Sequence, residues 1–139
     1  MKLSRTVGYA LQATLQLAEA EPGTPIPCSK LAAEGNMPER FLLQILRNLV
    51  THGILHSTRG VDGGYALERR ADEISLLDLI EAVDGPMFSQ APLAERVPQE
   101  LVDQLSIALK EVTASTRKQL SSIKISSLAS HPRKAMEPK

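Results

Sequence analysis

Glu39, Arg40, Gln44, Arg47 and Asn48 all fall off the apolar stripe of one amphipathic helical segment, MPERFLLQILRNLVTHG. Their shared chemistry is planar, directional hydrogen bonding. An amide such as Gln44 can pair with adenine through two bonds, a guanidinium such as Arg40 with guanine, and a carboxylate such as Glu39 can accept from cytosine. Taken alone, the solvated face of any amphipathic helix has a similar composition. No catalytic set competes with this one. His52, His56 and His131 are not at metal-ligand spacing with one another or with Cys28, and the acidic residues are scattered. Gly60, Gly63 and Gly64 do not form a phosphate loop, because no following helix offers its N-terminus to an anion. An enzyme is not expected, nor a metal or cofactor.

The elements that would position these side chains can be read around them. Phe41, Leu42, Ile45, Leu46, Leu49 and Val50 mark the stripe to be buried, Pro38 suits a first helical position, and Gly53 ends the segment. Upstream, Cys28 to Glu34 makes a short helix, and Gly35 and Asn36 make the turn, since both tolerate a left-handed conformation. Cys28 shares a face with Leu31 and Ala32, which reads as a small hydrophobe in a core. Downstream, ILHSTRG and GGYALER are two strand-like runs around Gly60-Val61-Asp62-Gly63-Gly64, a hairpin signal. Helix, turn, helix and hairpin in this order predict a winged helix-turn-helix, mainly α with a small β-hairpin.

Around this unit, Ser4 is expected to cap a first helix whose stripe is Val7, Ala10, Leu11, Thr14, Leu15 and Ala18, ending near Ala20 before Glu21-Pro22-Gly23-Thr24-Pro25. Ser75-Leu76-Leu77-Asp78 is a helix-starting box, and the helix it opens is apolar on more than one side until Gly85-Pro86. Residues 86–98 read as a loop. From Gln99 to about Leu120 a long helix carries Leu101, Leu105, Ala108, Leu109 and Val112, with Thr116, in a single stripe near heptad spacing. Such a stripe suits one partner surface, either a second copy of the chain or its own head. The expected organisation is a head at 1–85, a loop at 86–98, a dimerisation helix with a short terminal segment at 99–130, and a disordered tail at 131–139.

Composition narrows the class. The 139 residues suit about one domain, and 42% apolar content suffices for a core built from Leu, Ile, Val and Ala, with two Tyr, two Phe and no Trp. Sixteen basic residues balance sixteen acidic ones, which argues against a nonspecific nucleic-acid coat but permits a local basic face. One cysteine excludes an intrachain disulfide framework and fits a reducing compartment. With no membrane-length apolar run and no signal-peptide core, a cytoplasmic location is expected.

KLSRTVGYAL at the start, then FLLQIL, L-x-x-x-G-I-L-x-S-x-R-G, GGYAL and EISLLDLIEAVDG resemble the Rrf2 family of bacterial transcriptional regulators, in order and with compatible spacing. The resemblance covers roughly the first 85 residues. It implies a winged helix-turn-helix that binds DNA as a dimer, joined through a long C-terminal helix. It also implies that the recognition helix and the wing both reach DNA, and Ser4, Arg5 and Tyr9 match an N-terminal phosphate-contacting segment. Together with the helix chemistry above, the expected DNA-binding residues are Ser4, Arg5, Tyr9, Ser29, Lys30, Pro38, Glu39, Arg40, Gln44, Arg47, Asn48, Arg59 and Gly63. By position, Arg59 matches a wing arginine that enters the minor groove, and Gln44 matches a recognition-helix glutamine. Tyr9 is equally suited to be a core ring. Leu43 stands where several members carry a base-reading glutamate, and Val61-Asp62 alters the usual glycine-rich wing tip. Many members hold an iron–sulfur cluster on three cysteines just after the position of Asp84-Gly85, whereas this chain has no cysteine after Cys28.

The function expected is a dimeric, sequence-specific transcriptional regulator, a repressor without an iron–sulfur cluster, acting on a palindromic operator in double-stranded DNA. Two other classes fit parts of the sequence. Neutral charge, Asp62 and Leu43 fit a winged module that binds proteins instead of DNA. A pocket between the Ser75 to Asp84 helix, the following loop and the long helix fits a small-molecule sensor whose effector the sequence does not identify.

Overall fold

The computed structural model describes residues 1–90, 93 and 95–129; the expected tail at 131–139 and His131 lie outside the described residues. Helix α1 (Arg5–Glu19) begins where Ser4 Oγ accepts from the Val7 N–H at 3.1 Å, and it buries Val7, Ala10, Ala13, Thr14 and Leu17. Leu11, Leu15 and Ala18 lie half-buried beside that stripe. Thr14 enters the core because its hydroxyl donates to the Ala10 carbonyl at 2.7 Å.

Helix α2 (Cys28–Gly35) and helix α3 (Glu39–Thr51) form the helix-turn-helix. Asn36 alone takes the left-handed conformation, with φ 52° and ψ 51°; Gly35 is the last helical residue. Its lack of a side chain has a different cause from the one the turn suggests. Gln12 of α1 donates to the Gly35 carbonyl at 2.7 Å, and a Cβ on Gly35 would sit 2.6 Å from that amide nitrogen. A larger residue there would have to push aside the ends of the Gln12 and Met37 side chains, and with the first the bond to the Gly35 carbonyl.

Strands β1 (Leu55–Thr58) and β2 (Gly64–Leu67) form an antiparallel wing in the register Leu55 to Leu67 and Thr58 to Gly64. Glu68 N–H donates to the Ile54 carbonyl at 3.0 Å, extending the ladder at its base. A 3-10 turn, Ala71–Glu73, leads into helix α4 (Leu76–Asp84), whose Ser75 and Asp78 form a reciprocal cap with bonds of 3.1 and 2.9 Å. Burial on two sides follows from its place between two apolar clusters. Leu79 and Ala82 join the head core with Leu42, Leu46 and Leu49, while Leu76, Leu77 and Ile80 pack with Val7 and Leu120.

Helix α5 (Gln99–Ser121) buries only Leu120, and helix α6 (Ile125–Ala129) follows it. The chain then returns to the head. Leu76 N–H donates to the Ile123 carbonyl at 2.8 Å, Ile125 N–H donates to Ile74 at 2.9 Å, and Ile125 is fully buried. The short terminal segment that the sequence groups with the long helix therefore packs in the head core. The reason is long-range backbone pairing between Ser75 and Lys124, to which helical periodicity is blind.

Candidate nucleic-acid interface

Helix α3 starts one residue later than the proline signal suggests: Pro38 is the N-cap, extended at φ −67° and ψ 115°, and Glu39 opens the first turn. Leu42, Ile45, Leu46 and Leu49 anchor its inner face at no more than 3% exposure. Its outer face carries Glu39, Arg40, Gln44 and Arg47 in solvent, with Asn48 half-buried at the edge. Gln44 Nε2 donates to Asn48 Oδ1 at 3.3 Å, which orients both amides along the helix. Among the described residues neither Arg40 nor Arg47 has a carboxylate partner, so both guanidiniums are available to an anion.

Phe41 does not belong to the buried stripe in which the periodicity places it: it is 66% exposed. The stripe closes without it, because α1 and α4 pack on the side of α3 that holds Leu42, Ile45 and Leu49. Its spacing carried the missed signal, since Phe41, Gln44 and Asn48 stand at i, i+3 and i+7 and share one flank. Val50, at the opposite edge, is half-buried.

The second half of α3 faces the wing across a cleft of about 610 Å³, lined by Arg47, Val50 and Thr51 on one wall and Ser57, Thr58 and Arg59 on the other. Arg59 is exposed and, among the described residues, has no carboxylate partner, so Arg47 and Arg59 supply cations to both walls. Gly63 lies behind the tip, where its N–H donates to Gly60 at 3.0 Å and a Cβ would sit 2.1 Å from the Thr58 carbonyl oxygen. Val61 is fully exposed at the tip, and Asp62 beside it is exposed as well.

Cys28 lines the same cleft from the N-terminus of α2. Its thiol reaches the Glu39 carbonyl at 3.7 Å, and its pKa is raised, first by burial and then by the Glu39 charge. The thiol is thus held neutral, as a half-buried apolar neighbour of the core.

The remaining candidates are spread over the same molecule. Ser29 and Lys30 are exposed on α2, with Lys30 3.9 Å from Glu34 one turn on. Arg5 is exposed at the start of α1. Ser4 Oγ already caps α1 and donates to Asp84 Oδ2 at 3.0 Å, and Tyr9 is half-buried against the core.

On α5 the expected stripe divides into two. Leu101 and Val112 are 52% and 61% exposed, and Ala108 between them is exposed too. Leu105 and Leu109 are half-buried on the side where Ser89 Oγ donates to the Leu109 carbonyl at 2.8 Å and meets Thr113 Oγ1 at 2.6 Å. Glu81 of α4 fixes the base of this arrangement by accepting from Met87 N–H at 2.7 Å and pairing with Arg117. An apolar trough of about 300 Å³ does occur near α4, lined by Leu3, Val7, Ile80, Met87 and Phe88. Its other wall is the N-terminal segment, whereas the sequence places the long helix there.

The family model described as Rrf2, iron-dependent transcriptional regulator, matches residues 3–131. The chain is 32% identical over 118 residues to the HTH-type transcriptional regulator CymR of Bacillus subtilis, covering 84% of this chain and 86% of that one. It is 43% identical over 89 residues to a protein of Mycobacterium tuberculosis assigned as an HTH-type transcriptional regulator, covering 64% of this chain but only 55% of that relative's length. Among solved structures, CymR of B. subtilis, described as a global cysteine regulator, superposes with a TM-score of 0.74 at 26% identity over 95% of this chain and 98% of that one. The family description points to iron, and the donor set here does not fit a cluster. Iron–sulfur centres take several thiolates, and this chain has one cysteine. Among the described residues no three His, Cys, Asp or Glu side chains gather as metal ligands. With the family model spanning nearly the whole chain and a winged helix-turn-helix at its centre, this protein belongs to the Rrf2 family of transcriptional regulators.

Proposed function

We propose that this protein binds double-stranded DNA in a sequence-specific manner, as a homodimer, and represses transcription without an iron–sulfur cluster. The observation that carries the reading is the outward face of α3, where Gln44 lies between Arg40 and Arg47, neither with a carboxylate partner among the described residues, and Arg59 stands across the wing cleft from Arg47. The N-terminal half of such a helix enters the major groove, while cations beside it hold phosphates. Arg5, Ser29 and Lys30 lie on the solvent side of the same head and would add backbone contacts.

The dimer is inferred from α5. Leu101, Ala108 and Val112 form an exposed apolar seam that the chain's own head leaves open. Two heads related by a two-fold axis read a palindromic operator, which supplies specificity that one small head lacks. Repression is the action proposed because a bound dimer occludes the promoter it covers.

The test is binding of the full chain to duplex DNA containing its own promoter, across a salt series, with sedimentation of free protein alongside. A steep fall of affinity with salt, from counterion release, is expected for a dimer holding several phosphates. Absence of binding at low salt, or binding indifferent to salt, would reject the DNA reading.

A further inference from the structure

Phe41 is an exposed aromatic ring in a face otherwise made for hydrogen bonding. It is 66% exposed, although the chain has only two phenylalanines and fills its core with aliphatic residues. Leu43, the other apolar residue near this face, is half-buried on the opposite flank and does not join it. Gln44 and Asn48 share the flank of Phe41, and Arg40 precedes it. In the major groove, base edges present donors, acceptors and a single kind of apolar group, the C5-methyl of thymine. The third residue of a recognition helix lies in the half that reaches base edges.

We propose that Phe41 reads the C5-methyl group of a thymine in each half-site, next to the base read by Gln44. The inference rests on the DNA reading above and adds readout of the methyl group, which hydrogen-bonding side chains do not recognise. Arg40 and Arg47, which have no carboxylate partner among the described residues, make the neighbouring face of α3 cationic, which favours nucleic acid over an apolar protein partner for this patch. Burying one methyl against the ring accounts for a discrimination of about four-fold per half-site.

The experiment begins with a duplex selected from a randomised pool by the full chain. Each of its thymines is replaced in turn, in both half-sites, by deoxyuridine, which removes only the methyl. One position per half-site is expected to weaken wild-type binding by about four-fold. The same deoxyuridine is expected to leave Phe41→Ala unaffected, and Phe41→Leu should retain part of the discrimination. A scan that is flat for wild type, or equal losses in wild type and Phe41→Ala, overturns the proposal while DNA binding itself stands. Loss of the dimer in Phe41→Ala, measured by sedimentation, also overturns it, by assigning the ring to a second copy. Failure of the pool to yield any enriched duplex defeats the DNA reading instead.

Discussion

Ile26 and Tyr65 exchange both backbone hydrogen bonds, at 2.9 and 2.8 Å, so the residue two before α2 serves as a third strand against the wing. The wing is thereby fixed to the helix-turn-helix, and the α3–wing cleft has two walls joined by backbone. Gly64 permits this contact. Its φ is +151°, and a Cβ there would lie 2.3 Å from the Ile26 carbonyl carbon. Gly64→Ala should therefore cost more stability than Gly60→Ala, which has φ +112° but open space around it. Strain alone accounts for about 1–3 kcal/mol at either site, with the overlap added at Gly64. Urea unfolding of the two variants measures the difference; equal losses would mean the wing is free of Ile26.

On DNA, Gln44→Ala is expected to relax base preference at one position per half-site, at a cost of about 1–3 kcal/mol. Arg59→Ala should instead reduce the salt slope if its contact is to phosphate, or the preference for a narrow A·T minor groove if it inserts. Competition isotherms against altered duplexes separate these outcomes, and unchanged isotherms in both variants would count against the interface.

For the dimer, Val112 is the more decisive position because it is 61% exposed, whereas Leu105 is half-buried on its own chain. Val112→Asp should leave the monomer folded and cost several kcal/mol of association, since it buries an unpaired carboxylate in the seam. Sedimentation at low micromolar concentration should show monomer. A persistent dimer would move the interface off this face of α5.

Glu81 joins three parts of the fold, so its removal should loosen α5 more than it loosens the head. The carboxylate sits with its side chain 23% exposed, against Arg117 at 39%. Glu81→Ala leaves the guanidinium and the Met87 N–H without their acceptor, at a cost of about 1–3 kcal/mol. Hydrogen exchange should speed first at Met87 and along the α5 residues near Arg117, with α3 unchanged.

Cys28 should react slowly with alkylating agents at neutral pH. Burial and the Glu39 charge raise its pKa, so the folded state holds the proton more tightly than the unfolded chain. The sign follows: any stability from the neutral thiol is present below the unfolded thiol pKa and declines as pH rises towards the raised folded value. The rate of modification by iodoacetamide against pH gives the test, with an inflection at or below that of a free thiol as the contrary result.

Local signals determined much of this protein. The caps at Ser4 and Ser75, the stop at Gly53, the glycine-rich wing and the periodicity of α3 are properties of neighbouring residues, and each element they imply is present. The family resemblance is carried by the same local features. Tertiary structure decided which apolar residues have a partner. Helical spacing ranks Phe41 with Leu42 and Val112 with Leu109, yet only packing neighbours distant in sequence reveal that the first of each pair is exposed. It also decided that the chain after α5 closes the head, through bonds from Ile123 and Ile125 to residues about fifty positions earlier. Periodicity reports which side of an element is apolar; what covers that side depends on contacts between residues far apart in the chain.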